Sequence, residues 1–177
     1  MNENTYFELN SNFGEAFDSL HFVTGALDKK SDRLFKTIIQ VKDGIATGTD
    51  GQRLHMAKLD EDTFIIDGYY KVVKRTKTKL DLVKDDSYDM TYPDIRALFE
   101  IPTSGGIPLS EHNGHVYNAV KTICCKLHGN IAINYHFIED ILSYGVFDFH
   151  CTGEEEKPLF FTNGTKTAIV MPVIMNR

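Results

Sequence analysis

The residues of this chain best suited to chemistry are its histidines and cysteines. His112 and His115 lie at a spacing that could share a metal ion, and Cys124, Cys125 and His128 follow soon after. A zinc site needs about four such ligands converging, and spacing alone does not fix that geometry. On a helix, Cys124 falls on an apolar stripe with Cys125 beside it, where a free thiol behaves as a small hydrophobe. Both readings stay open. Asn163-Gly164-Thr165-Lys166-Thr167 has the tail of a phosphate-binding loop but no upstream glycine at the required offset. Strands flank it where a helix should follow, so a hairpin turn is expected. HExxH, GxSxG and CxxC are absent, and Gly44, Gly48 and Gly51 do not open a helix as a dinucleotide fingerprint must. A non-catalytic protein without a cofactor is the expectation.

Charge offers a second chemistry. Lys71, Lys74, Arg75, Lys77 and Lys79 crowd into nine residues. On one regular strand, Lys71, Arg75, Lys77 and Lys79 would share a face opposite Tyr70, Val72, Thr76, Thr78, Leu80 and Leu82. Such a face can hold phosphates without sequence preference. Equally, it can be a solvated face that discourages edge pairing.

The elements that must position these groups follow from periodicity. Asn12 to Glu15 has capping-box spacing, and Phe13, Phe17, Leu20 and Leu27 with Ala16 and Val23 predict a helix over 13–26. Residues 35–41 and 45–49 predict a hairpin about Lys42-Asp43-Gly44, the second arm running on into Asp50 to Ala57. Strands are also expected at 63–66 and 69–83, with Pro93 breaking the pattern. A loop is predicted over 103–110. Val116, Ala119, Val120, Ile123 and Leu127 predict a second helix, and Asn134 caps a third over 135–142 after a short strand at 131–133. Three strands close the chain, at 146–151, 158–162 and 167–174. Helices and antiparallel strands segregate, which is an α+β pattern rather than a doubly wound one.

Composition narrows the classes. The 177 residues are 42% apolar, 25% charged and 11% aromatic, with net charge −6. That is ordinary for a chain with a real core and unlike a disordered one. An acidic body excludes a protein that coats itself with cations for DNA, but not a local basic strip. The longest apolar run, 168–175, is short and broken by Pro172, so no membrane partner is expected. A basic start followed by an apolar stretch is lacking, and three cysteines, two adjacent and one distant, make no disulfide framework; a cytoplasmic location is expected.

Three separated segments carry a family resemblance. Ala46-Thr47-Gly48-Thr49-Asp50-Gly51-Gln52-Arg53-Leu54 resembles the "ATDGHRLA" strand of bacterial β sliding clamps, the DNA polymerase III beta subunit family. Thr91-Tyr92-Pro93-Asp94-Ile95-Arg96 resembles that family's "FPDYR", with an apolar position following at Leu98. Lys157-Pro158-Leu159-Phe160-Phe161 and Ala168 to Val173 resemble its closing strands, which end in "VMPMR". Their order matches the family's.

The resemblance implies an α+β, clamp-like fold of curved antiparallel sheets with helices on one face. It implies a non-enzymatic processivity or replication accessory role. In the family these segments build an apolar groove where short linear peptides of polymerases and other replication proteins dock. Carried over, that groove would use Thr49, Gly51, Gln52, Arg53, Leu54, Pro93, Leu98, Val170, Met171, Pro172 and Val173. Arg53 would serve the rim, where a guanidinium can bond a peptide carbonyl or carboxylate. Duplex DNA contact, sequence-blind, would fall to Lys71, Arg75, Lys77 and Lys79, with Lys121 and Lys126 on the middle helix. A homo-oligomer can also follow, since the family closes rings. The departures are Gln52 for a usual His, Ile95 for Tyr, Ala97 for a frequent Arg, and Val173-Ile174 after "MP". These make the pocket less cationic. The chain is also short: the expectation is one compact unit over 1–177, with 1–102 resembling part of a second domain and 103–177 the end of a third. A monomeric peptide-binding regulator is the alternative, and a metalloenzyme at the histidines the remote one.

Overall fold

The computed structural model describes residues 5–85, 87–88, 91–93, 106–110, 118, 120, 123, 131–152 and 157–174. The chain divides into two compact units, Met1–Asp94 and Ile95–Arg177. The expected junction at 102/103 and most of the expected second helix lie outside the described residues, although Asn118, Val120 and Ile123 are helical. The α+β pattern is what the structure has: antiparallel strands dominate, with helices set apart along the chain.

The first unit is built on strands β1 (Tyr6–Asn10), β2 (Ile38–Lys42), β3 (Ile45–Thr49), β4 (Arg53–Lys58), β5 (Gly68–Arg75) and β6 (Lys79–Lys84). They lie in the order β1-β6-β5-β2-β3-β4, each pair antiparallel. Helix α1 (Glu15–Thr24) packs over β2, β3 and β4. The expected capping box does not form. Residues Ser11–Phe13 make a 3-10 turn capped by Asn10, whose Oδ1 accepts from Asn12 N at 3.0 Å. Gly14, at φ +56°, then redirects the chain so that α1 starts two residues later than expected. Asp43 (φ 52°) and Gly44 (φ 72°) make the expected primed turn between β2 and β3. The strand expected at 63–66 is absent: Thr63 N donates to Asp60 O at 2.9 Å in a turn, and no ladder follows.

Small residues let α1 sit close to the sheet. A Cβ on Gly48 of β3 would stand 2.7 Å from the carbonyl oxygen of Val23 and 3.2 Å from a Leu27 methyl. Gly48→Ala is therefore expected to cost about 2 kcal/mol, because a helix backbone, not a flexible tip, must give way. A lower urea midpoint at unchanged slope is the expected readout; an unchanged midpoint refutes it. Beside Gly48, His55 of β4 is fully buried and stacked on Phe22 of α1, ring centroids 4.4 Å apart. Its Nδ1–H donates to the Phe22 carbonyl at 2.9 Å, while Nε2 is buried without a partner.

In the second unit the strands are β7 (Ile107–Leu109), β8 (Ile131–Ala132), β9 (Phe147–His150), β10 (Leu159–Asn163), β11 (Lys166–Val170) and β12 (Val173–Ile174), with helix α2 at Tyr135–Leu142. Strands β11, β10, β9 and β7 are neighbours in that order, and β8 pairs with β12. β7 falls where a loop was expected. The cap on α2 is as expected, with Asn134 Oδ1 accepting from His136 N at 3.1 Å. So is the hairpin at Gly164 (φ 52°), between β10 and β11, where a phosphate loop was the other reading. Phe147, Phe149, Leu159, Phe161 and Ala168 are at most 1% exposed and make this unit's core with one face of α2.

Candidate partner-binding site

The Thr49–Leu54 hairpin is closed by its own side chains. Asp50 Oδ1 accepts from Gln52 N at 2.8 Å and Arg53 N at 2.9 Å, an Asx turn that pins the tip. Thr49 Oγ1 accepts from Gly51 N at 3.0 Å and donates to Arg53 O at 2.6 Å. Gly51 sits at φ +88°, where glycine is free of strain. Arg53 is not the open rim group that was expected. Its Nε meets Asp50 Oδ2 at 3.1 Å, and a terminal nitrogen donates to Gly25 O at 2.8 Å, just past α1. The guanidinium thus ties the hairpin to the helix end.

Register decides what this hairpin exposes. Leu54 pairs with Thr49 across the ladder and both are buried, at 5% and 7% exposure. Thr47 is held on the same side, its carbonyl accepting from the hydroxyl of Tyr92 at 3.3 Å. Tyr92 is buried and stacks against Tyr69, ring centroids 6.4 Å apart, while Pro93 next to it is exposed. Burial pushes the Tyr92 phenol up, beyond any physiological titration. Sequence reasoning missed this tyrosine, although an aromatic before Pro-Asp was in view. In the second unit Val170 is fully buried, Pro172 is half-buried, and Met171 and Val173 are 41% and 53% exposed. Leu98 lies outside the described residues. Of the expected groove residues, then, Gly51, Gln52 and Pro93 on the first unit and Met171 and Val173 on the second are the exposed ones.

The basic run is not one strand, which corrects the expected face. It folds back at Thr76-Lys77-Thr78, so Lys77 lies in the turn and Lys79 opens β6. A bulge between Val72 and Lys74 inserts an extra residue in β5. Past it, Arg75 stands opposite Leu80, on the face of Val72 and Leu82, while Lys71 and Lys74 stand opposite Val83 and Asp81. Arg75 is accordingly half-buried against α1, its Nε donating to Thr24 Oγ1 at 3.1 Å and a terminal nitrogen to His21 O at 3.3 Å. Lys79 meets Glu8 at 2.6 Å. Lys71, Lys74 and Lys77 are exposed; Lys121 and Lys126 lie outside the described residues. So do His112, His115, Cys124, Cys125 and His128. Among the described residues, no three His, Cys, Asp or Glu side chains cluster as metal ligands, and no helix is long and apolar enough to cross a membrane.

This arrangement of strands and helices is the fold of the bacterial DNA polymerase III beta sliding clamps. The chain superposes on the pol III beta of Caulobacter crescentus with a TM-score of 0.61 at 14% identity, covering 99% of this chain and 68% of that one. Against the Helicobacter pylori beta clamp bound to a DNA ligase peptide the values are 0.58 and 15%, covering 95% and 65%. For the DNA polymerase sliding clamp of Pseudomonas aeruginosa they are 0.55 and 12%, covering 96% and 67%. The chain thus spans about two thirds of the length of these clamps. No protein-family model and no curated protein matches the sequence.

Proposed function

We propose that this chain is a non-enzymatic, cytoplasmic replication accessory protein that docks short linear peptides of polymerases or other replication proteins. The observation that carries the reading is the clamp fold over nearly the whole chain, together with the three ordered motif segments. One of the clamps with this fold was crystallised with a DNA ligase peptide. The exposed thioether of Met171 and the exposed Val173 are adaptable apolar anchors of the kind such peptides meet. With Arg53 held by Asp50 and Gly25, selection would rest on apolar contacts and backbone bonds more than on charge.

Fluorescence anisotropy with a labelled Leu/Phe-containing clamp-binding peptide tests this. Wild type should bind saturably, and Met171→Ala should cost about 2 kcal/mol, roughly thirtyfold in Kd. Being exposed, Met171 can be truncated without emptying the core. No wild-type binding, or an unaffected variant, sinks the reading.

The engagement of Arg75 and Lys79 favours a second reading, a monomeric regulator that competes for clamp partners without encircling DNA. Sedimentation at micromolar concentration separates the two, since a stable closed oligomer is incompatible with the monomeric form.

A further inference from the structure

Away from the motif segments, the first unit has an apolar groove of about 460 Å³ between β1, the turn before α1 and residues 60–65. Phe7, Leu9, Phe13, Ala16, Phe64 and Ile65 line it. Ile65 is buried and anchors the segment, whereas Phe13 is 50% and Phe64 86% exposed. A phenyl ring held that far into water is costly unless something covers it. Thr63 also lines the groove, and its hydroxyl is buried without a hydrogen-bond partner.

The rim is acidic. Glu8, Glu15, Asp60 and Asp62 all border the groove. Lys79 neutralises Glu8, but among the described residues Glu15, Asp60 and Asp62 have no ion-pair partner. This field repels phosphates and excludes nucleic acid. The chain's own apolar segment between lysines, Lys71 to Lys74, is fixed in β5 between β2 and β6 and cannot enter a concave site as a free segment.

We propose that this groove docks an extended segment of a different protein that presents an apolar anchor flanked by lysine or arginine. The anchor fills the space between Phe7, Phe13 and Phe64, and the flanking cations meet Glu15, Asp60 and Asp62. It is a second binding surface, independent of Met171 and Val173.

Selection of a phage-displayed random dodecapeptide library on the full chain, with Phe64→Ser as the control surface, provides the test. Phe64 is exposed, so the control should fold normally. Enriched sequences should carry an apolar residue with basic neighbours, and only on the wild type. The best peptide, fluorescein-labelled, should bind about tenfold more weakly to the Asp60→Asn/Asp62→Asn variant and to wild type in high salt. Met171→Ala should leave it unchanged, which separates this surface from the one proposed above. Enrichment equal on Phe64→Ser, enrichment without a basic bias, or a self-associated chain that Phe64→Ser turns monomeric would each overturn the proposal.

Discussion

Between pH 7 and pH 4 the protein should lose about 3 kcal/mol of stability through His55 alone. The imidazole is fully buried, and burial, the largest cause, depresses its pKa to about 3, with Arg53 and Arg75 adding repulsion against the Phe22 carbonyl bond. In the unfolded chain the same group titrates near its ordinary value of about 6.5. A depressed folded pKa means the unfolded state binds more protons below that value. The stabilisation is therefore complete above about pH 6.5 and is lost as pH falls toward 3, at up to about 1.4 kcal/mol per unit. Urea melts of wild type and His55→Phe across this range isolate the effect, since phenylalanine keeps a ring against Phe22. The difference between the two profiles should open steadily below pH 6. Parallel profiles would show that the ring is not held neutral.

Phe161→Ala should cost about 4 kcal/mol. The ring is fully buried, stands opposite Phe149 and Ala168 in the ladder, and lies 5.3 Å from the Phe149 ring, centroid to centroid. Strand β10 is bonded on both sides, to β9 and β11, so the backbone cannot collapse into the space the ring leaves. Ala168, on one side, has nothing to extend into it. Phe161→Leu, which retains most of the volume, should cost less than half as much. Denaturant midpoints decide the matter: a loss under about 1.5 kcal/mol would mean the site repacks.

Much of the fold was legible because local chemistry and tertiary structure agree. Asp43-Gly44 and Asn163-Gly164 are turns on their own account, and Asn134 caps α2 whatever lies beyond it. Failures arose where a partner strand decides. Thr63 to Ile66 keeps the alternation of a strand, with Ile65 in and Phe64 and Ile66 out, yet no neighbour supplies a ladder. Conversely, Ile107-Pro108-Leu109 reads as loop but pairs with β9 at the end of its unit's strand order, where a missing proline N–H is tolerated. In the candidate site, the turn chemistry of Thr49 to Arg53 was readable. That Arg53 would turn inward was not, because the carbonyl that claims it belongs to Gly25, far back in the chain.

The extra residue at Val73 has a wider meaning. Sidedness along an extended ribbon is counted in twos, so a single inserted residue acts as a parity operator on everything downstream until the ribbon turns. Where a regular strand would set Lys71 and Arg75 on one face, the insertion sets Lys74 beside Lys71 and turns Arg75 to the other face, beneath a helix. Which cation faces water on this strand is thus set by how many residues the ribbon holds as well as by which amino acids they are.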